Sequence, residues 1–200
     1  MASITRTIRE QVTNQIRDDV VAGIFPPGQP LRESELAERF GVSRGPIRDA
    51  FLQLSQEGFL AYQANRGVTV RQPPEPENRE FVMSLRRQIE CNVIRRALPR
   101  LAELDLTGVV SALADLRVAC EGDDVAAVAR GDMAFHQALL IAMGGDEFLP
   151  VWKLLCSQML LAYSRLDNYQ QLYDEHARIL RAIEAGDQQA VVAAIEANIR

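Results

Sequence analysis

Three side chains in the second half of the sequence, Asp132, His136 and His176, are of the types that bind divalent metal ions. Asp132 and His136 are four residues apart, so a helix would place the carboxylate and the imidazole on one face, one turn apart. Such a pair supplies half of a metal site, and a ligand from another helix is needed to complete it. His176 is the other histidine of the chain and is the candidate for that ligand. A surface or helix-capping pair is the alternative interpretation of this spacing.

Two arginines in the first half, Arg44 and Arg48, lie in a segment with the features of a DNA recognition helix. Ser43 is a good N-cap, and Pro46 falls in the first turn, where a missing N–H costs little. The apolar residues then repeat with helical spacing, at Ile47, Ala50, Phe51 and Leu54. Arg44 and Arg48 therefore project from the opposite side, near the end of the helix that enters a major groove. An ordinary helical hairpin with solvated arginines is the alternative.

The flanking segments predict the other elements of a winged helix-turn-helix. Residues 34–40 form a short helix, and residues 41–43 supply the tight turn before the recognition helix. Two short apolar runs, 59–62 and 68–71, predict a hairpin with Arg66 at its tip, where the side chain would reach phosphate or a minor groove. A further amphipathic helix would cover this motif with Ile8, Val12, Ile16 and Val20.

Charge and composition divide the chain into two predicted domains. Residues 1–72 carry nine Lys or Arg against eight Asp or Glu, whereas the rest of the chain carries thirteen against nineteen, and this acidic excess disfavours indiscriminate binding to nucleic acid. The proline-rich stretch 73–78 predicts a linker between a DNA-binding domain, 1–72, and a second domain, 79–200. Neither an apolar leader nor a membrane-length apolar run is present, which favours a cytoplasmic protein.

Beyond the linker, every segment has the helical period. Six helices are predicted, at residues 79–98, 105–120, 123–143, 146–165, 169–185 and 187–199. Their apolar faces must bury against one another, which predicts an antiparallel bundle. The fold class is therefore mainly α, with an N-terminal winged helix-turn-helix followed by an all-α antiparallel helical bundle.

Residues 17–71 resemble the N-terminal domain of GntR-family transcription regulators. The resemblance is carried by the motifs Gly23-Ile24-Phe25-Pro26-Pro27-Gly28, Leu31-Arg32-Glu33, Leu36-Ala37, Gly41-Val42-Ser43-Arg44, Pro46-Ile47-Arg48 and Glu57-Gly58. In that family the arginines at the positions of Arg44 and Arg48 contact operator DNA, and the wing tip enters the minor groove. Ser34 stands where some members carry an arginine. The predicted DNA-binding residues are Ser34, Ser43, Arg44, Arg48, Arg66 and Gly67.

Residues 79–200 resemble the FCD ligand-binding domain of the FadR subgroup of this family, through Asp132-Met133-Ala134-Phe135-His136 and Glu175-His176. Many such domains bind a divalent metal, zinc or a similar ion, through an Asp, two His and a third His near the end of the last helix. The position of the third His falls here on Asn198, whose amide oxygen is a weak, neutral ligand. Six bundle helices rather than seven point to the VanR-like branch.

The resemblance also implies a homodimer that senses a small organic acid. Arg86 precedes Glu90 in an Arg-x-x-Ile-Glu arrangement similar to the family's first bundle helix, and its guanidinium could bind a carboxylate through two parallel hydrogen bonds. A solvent-facing helix arginine is the alternative for Arg86, and Tyr163 and Arg165 are further candidates for effector binding. The sequence thus predicts a repressor that an acid releases from its operator.

Two other functions are compatible with parts of the sequence. The bundle could serve only for dimerisation, without metal or effector, because Asn198 replaces a histidine. A metal-dependent hydrolase is the second alternative, since three ligands would leave an open position on the metal. The chain has no HExxH arrangement, no glycine-rich phosphate loop and no recognisably activated serine or cysteine, so we do not expect an enzyme.

Overall fold

The computed structural model describes residues 7–63, 67–122, 124–161 and 168–199. The chain divides into two compact units, and the division falls between Pro73 and Pro74. The second unit begins inside the predicted linker, because its first helix starts at Pro76. Proline suits this position because the first N–H groups of a helix have no partner within it. No helix in the described part of the chain is long and apolar enough to cross a membrane.

The first unit is a three-helix motif with a small antiparallel sheet. Its elements are α1 (Ile8–Val21), β1 (Pro30–Leu31), α2 (Glu33–Phe40), α3 (Arg44–Glu57), β2 (Leu60–Gln63) and β3 (Gly67–Val70). The strand order is β1-β3-β2, with Leu31 opposite Val68 and Leu60 opposite Val70. The hairpin strands lie within one residue of the predicted runs. Strand β1 was not predicted from the sequence, because two residues are too few to show an alternating pattern.

The core of this unit fixes the orientation of α3. Ile16 on α1 and the α3 residues Ile47 and Leu54 are fully buried, and α1 packs against α3. The apolar period of α3 therefore faces inward as predicted, whereas Ile8 of the predicted α1 face is 58% exposed. Gly41 ends α2 with a φ of 64°, a left-handed conformation that glycine adopts without strain, and thereby makes the turn into α3.

All the secondary structure elements described in the second unit are helices. Its α-helices are α4 (Pro76–Ala97), α5 (Thr107–Cys120), α6 (Val125–Ala142), α7 (Leu149–Leu161), α8 (Tyr169–Glu184) and α9 (Gln188–Asn198), with short 3₁₀ segments at Leu98–Glu103 and Asp146–Phe148. These six helices overlap the six predicted ones. Trp152, Phe135 and Ile179 are among the largest side chains of their common core. The mainly α class with a winged helix-turn-helix is confirmed.

Gly131 lets α5 and α6 approach closely. A Cβ atom at this position would lie 2.9 Å from Leu116 Cδ1 and 3.2 Å from Leu116 Cα. We expect Gly131→Ala to lower the free energy of unfolding by about 1–3 kcal/mol, because the two helices would have to separate. The matched control is Gly108→Ala on α5, where no described atom lies within 4 Å, and this change should stabilise by up to about 1 kcal/mol. Urea unfolding measures both variants, and equal stabilities would contradict the prediction.

Candidate DNA interface and metal centre

The recognition helix α3 presents two arginines to solvent. Ser43 occupies the N-cap with extended backbone angles, although its side chain makes no capping hydrogen bond. Arg44 is the first residue of the helix, and Arg48 follows one turn later; both are exposed, while Ile47 between them is fully buried. The helix therefore separates a buried apolar side from a cationic side, as the sequence predicts.

Arg48 is held by a neighbouring carboxylate. Its Nε donates to Glu33 Oε2 at 2.7 Å, and the Arg48 side chain remains 65% exposed. Arg39 has a different environment, because it pairs with the buried carboxylate of Asp19 at 2.7 Å and lies over the ring of Phe25. Arg39 thus stabilises the fold, whereas Arg48 is positioned at the surface.

Three of the other predicted DNA-contact residues, Ser34, Ser43 and Gly67, are described, and they belong to the same unit. Ser34, on the first turn of α2, and Ser43 are both exposed. Gly67 is exposed at the start of β3, where it pairs with Gln63 and has a φ of 73°. Arg66 lies outside the residues that the structure describes.

Asp132, His136 and His176 come together in the second unit. His176 Nε2 lies 2.9 Å and His136 Nε2 lies 3.5 Å from Asp132 Oδ1. One metal-binding atom from each residue lies within 4.8 Å of the others. Both histidines are fully buried, and the Asp132 side chain is 13% exposed. Asp132 on α6 and His176 on α8 are 44 residues apart in sequence, and they meet because both helices pack against α5.

Hydrogen bonds at Nδ1 determine what each histidine presents to this cluster. His176 Nδ1 lies 2.8 Å from the Leu172 carbonyl oxygen, and His136 Nδ1 lies 2.7 Å from Glu90 Oε2. Both oxygens only accept hydrogen bonds, so each Nδ1 carries a proton and donates it. An imidazole with one proton, on Nδ1, has a lone pair on Nε2, and the Nε2 atoms of both histidines face Asp132 Oδ1. Burial lowers the pKa of His136, which favours this neutral form.

The amide of Asn198 adds a fourth acceptor to the same point. Its Oδ1 lies 2.9 Å from His136 Nε2, and its Nδ2 lies 3.5 Å from Glu175 Oε2. Because Glu175 can only accept, this contact turns the amide oxygen towards the cluster. Acceptor atoms this close to one another repel unless a proton or a metal cation lies between them. Two imidazole nitrogens with carboxylate and amide oxygens form a donor set suited to a divalent transition metal.

Glu90 joins the cluster of Asp132, His136 and His176 to other buried polar groups. Its Oε1 accepts from Arg86 Nε at 2.8 Å and from Trp152 Nε1 at 2.7 Å, while its Oε2 accepts from His136. Burial opposes ionisation of Glu90, but the charge of Arg86 and the hydrogen bonds that His136 and Trp152 donate outweigh it and lower the pKa of Glu90. Such a carboxylate fixes the orientation of a metal-binding histidine and makes it more basic.

Arg86 has an unused donor in the protein interior. Its side chain is 3% exposed and lies over the ring of Trp152, with 5.7 Å between the guanidinium carbon and the ring centroid. Nε is used by Glu90 and Nη1 contacts Met159 Sδ at 3.8 Å, but the buried Nη2 has no hydrogen-bond partner among the residues that the structure describes. An anion such as a carboxylate would satisfy this donor. The solvent-facing alternative for Arg86 is wrong, because the residue is buried.

Comparison with known proteins assigns both units. Residues 8–70 match the family model described as "Bacterial regulatory proteins, gntR family", and residues 81–200 match the FCD domain. The chain belongs to the GntR family of transcription regulators. The FCD match fits the FadR subgroup, and the protein is a DNA-binding transcription regulator.

Relatives of this GntR-family protein span almost its whole length. The HTH-type transcriptional repressor RspR of Escherichia coli K12 is 27% identical over 98% of the chain and 87% of its own length. The gluconate operon transcriptional repressor of Bacillus licheniformis is 22% identical over 94% of the chain and 80% of its own length. A GntR transcriptional regulator from Rhodococcus sp. RHA1 has a similar crystal structure, with a TM-score of 0.76 and 25% identity, covering 96% of this chain and 93% of its own.

These comparisons exclude the hydrolase alternative, because the family and the relatives are transcription regulators and not enzymes. Within the GntR-family chain, sequence reasoning missed the central position of Glu90 and the contribution of Trp152. The Arg-x-x-Ile-Glu spacing pairs Glu90 with Arg86 on one helix, but nothing in the sequence links either residue to His136. Tyr163 and Arg165, the other effector candidates, lie outside the described residues.

Proposed function

We propose that this regulator is a homodimeric repressor that leaves its operator when a small carboxylate binds in the second unit. The buried Nη2 of Arg86 supports the effector part of the proposal, since it is a cationic donor without a hydrogen-bond partner in the described part of the chain. The same guanidinium binds Glu90, which binds His136, so an anion at Arg86 would lie two hydrogen-bonded residues from the metal cluster. The printed names of RspR and the gluconate operon regulator support repression.

We assign DNA recognition to the cationic side of α3. Arg44 and Arg48 would read base edges in the major groove, while Ser34, Ser43 and the wing residues Arg66 and Gly67 would contact the backbone or the minor groove. One such helix reads only a few base pairs. A homodimer that places two of them in successive major grooves of a pseudo-palindromic operator would supply the needed specificity.

The residues of the second unit fit a bound divalent metal. Asp132, His136 and His176 would hold the ion, and the Asn198 amide oxygen would contribute a weaker ligand. A bound divalent ion supplies a Lewis-acid position that attracts a carboxylate oxygen. The six α-helices described in this unit also support a place in the VanR-like branch.

Release from DNA requires that the acid bind the DNA-incompetent arrangement of the dimer more tightly than the competent one. In this proposal Arg86 binds the carboxylate. The hydrogen bond between Arg86 and Glu90 then changes, and so does the hydrogen bond that Glu90 accepts from His136. A coupling free energy of about 1–3 kcal/mol would change operator affinity by roughly 5- to 150-fold.

The substitution Arg86→Lys tests the effector site without removing the buried positive charge. Lysine can still pair with Glu90 but lacks the second guanidinium nitrogen, so we expect operator binding to persist and release by acid to be lost. Duplexes selected from genomic DNA by the wild-type protein provide the operator. A panel of small mono- and dicarboxylates is then tested by fluorescence anisotropy on both proteins. Equal release of both proteins by an active acid would contradict the role of Arg86.

A second candidate function keeps the DNA-binding unit and uses the bundle only for dimerisation. Asn198 in place of a histidine is the observation that favours it. Metal analysis of the purified protein, together with a thermal-shift screen of the same carboxylates, separates the two proposals. No metal and no acid-dependent stabilisation would support the dimerisation module, and either signal would support the sensor.

A further inference from the structure

We infer that Arg87 is a positioning residue for the metal centre, because it holds the end of α9 at which Asn198 lies. The inference rests on the proposed metal site. Arg87 Nη1 donates to the Ile199 carbonyl oxygen at 2.7 Å, and Arg87 Nη2 pairs with the Glu80 carboxylate. We call these three groups, Glu80, Arg87 and the Ile199 carbonyl, the Arg87 clasp.

The Arg87 clasp lies at the end of α9, where the backbone carbonyl groups have no hydrogen-bond partners within the helix. The helix ends at Asn198, and Ile199 leaves it with a ψ of 89°, while its N–H still donates to the Ile195 carbonyl. The carbonyls of the last turn of a helix have no partner within the helix, so this end frays unless other groups hold it. Arg87 supplies such a group, and a cation at a helix C-terminus is also favoured by the helix dipole.

The position of Asn198 depends on this anchoring. Ile199 is 1% exposed and belongs to the core of the second unit, so its side chain and its carbonyl are both fixed. Asn198 is the preceding residue, and its Oδ1 must stay 2.9 Å from His136 Nε2 to act with the cluster. A frayed last turn would withdraw this oxygen but would leave Asp132, His136 and His176 in place, because they lie on α6 and α8.

Consecutive arginines of α4 therefore support the two sides of His136. Arg86 binds Glu90, which accepts from His136 Nδ1. Arg87 binds Ile199, which holds the residue that contacts His136 Nε2. Neither arginine contacts the cluster in the described structure except through these intermediates. The difference in burial, 3% exposed for Arg86 against 20% for Arg87, agrees with one internal and one peripheral support.

Titration with Co²⁺ tests the inference, since the visible absorption of this ion reports both affinity and coordination. We expect Arg87→Gln to weaken Co²⁺ binding about tenfold and to change the spectrum in the same way as Asn198→Ala, since residues that support ligands affect affinity by about 10- to 100-fold. Arg87→Lys should recover part of the loss because lysine can still donate to the carbonyl. Arg96→Gln is the matched control on the same helix, since Arg96 is 68% exposed and lies 3.9 Å from its partner Glu147.

A double-mutant cycle distinguishes positioning of Asn198 from a general loss of stability. In the Asn198→Ala background, Arg87→Gln should change Co²⁺ affinity by less than about twofold, because the ligand that it positions is gone. An equal loss in both backgrounds would overturn the inference. Faster amide exchange confined to the last turn of α9 in metal-free Arg87→Gln would support it.

Co²⁺ binding by the wild-type protein distinguishes a failure of the proposed metal centre from a failure of the proposed role of Arg87. If the wild type binds no Co²⁺, the metal centre is wrong and the inference falls with it. If the wild type binds Co²⁺ and Arg87→Gln binds it equally well, the metal centre stands and the inference alone is overturned.

Discussion

Arg44→Ala and Arg48→Ala are each expected to abolish specific operator binding while leaving the fold and the dimer intact. A bidentate arginine–guanine contact contributes about 1–3 kcal/mol of discrimination, and a homodimer would lose one contact at each half-site. The expected loss of operator affinity is therefore about 30-fold to 10⁴-fold per substitution. Both side chains are exposed and neither contributes to the core, so the free energy of unfolding should stay within about 0.5 kcal/mol of the wild-type value.

The loss of each arginine should have a different effect on non-specific binding to DNA. Arg44 would act without an acidic partner among the ion pairs described for α3, whereas Arg48 is bound by Glu33 at 2.7 Å. Removing Arg48 would leave the Glu33 carboxylate unpaired beside the DNA, which adds repulsion to the lost contact. We therefore expect Arg48→Ala to weaken binding to random duplex more than Arg44→Ala does, and Arg48→Ala/Glu33→Gln to restore that non-specific part only.

Fluorescence anisotropy with the selected operator and with a scrambled duplex, at several salt concentrations, measures these effects. Arg117→Ala provides the control, because this arginine of the second unit is 66% exposed and its pairing with Glu121 spans 3.3 Å at the surface. Specific affinity within threefold of the wild type in both Arg44→Ala and Arg48→Ala would show that α3 does not read the operator.

The elements that could be predicted from the sequence are those whose signals are local. The N-cap Ser43, the turn at Gly41 and the apolar period through Ile47 all act within one or two helical turns, so α3 and its exposed face could be predicted. The pair Asp132 and His136 could be predicted for the same reason. Strand β1 could not, since its two residues depend on pairing with β3 far along the chain.

The hydrogen bonds around Asp132, His136 and His176 could not be predicted, because they join helices that are far apart in the sequence. Glu90 receives hydrogen bonds from Trp152 and His136, which lie 62 and 46 residues away. From its residue type, Asn198 is predicted to be a weak ligand at most. The direction of its amide oxygen could not be predicted, because it depends on the contact of Nδ2 with Glu175 on another helix, and the sequence does not specify how an amide is turned.

Glu90→Gln should destabilise the second unit by about 3–5 kcal/mol, because it leaves the buried Arg86 guanidinium without a counter-charge. Glu147→Gln is the control, since the Arg96–Glu147 pair is 68% exposed on both sides and spans 3.9 Å. Such surface pairs contribute about 0–1 kcal/mol. Replacing Arg86 and Glu90 together by methionine removes the unpaired charge but should recover only part of the loss, because Trp152 Nε1 and His136 Nδ1 then have no acceptor. Urea unfolding measures these differences, and a Glu90→Gln protein within 1 kcal/mol of the wild type would contradict the prediction.

The same substitution should weaken metal binding through the proton on His136. Glutamine can keep its oxygen towards Arg86 and Trp152, which both donate to Oε1 in the wild type, and its NH₂ group then faces His136 Nδ1. The NH₂ group donates, so Nδ1 must accept and the proton moves to Nε2, which can no longer bind a cation. We expect Co²⁺ affinity to fall by about 10- to 100-fold, whereas Glu147→Gln leaves it unchanged. Unaltered Co²⁺ binding by folded Glu90→Gln would show that Glu90 does not determine which nitrogen of His136 carries the proton.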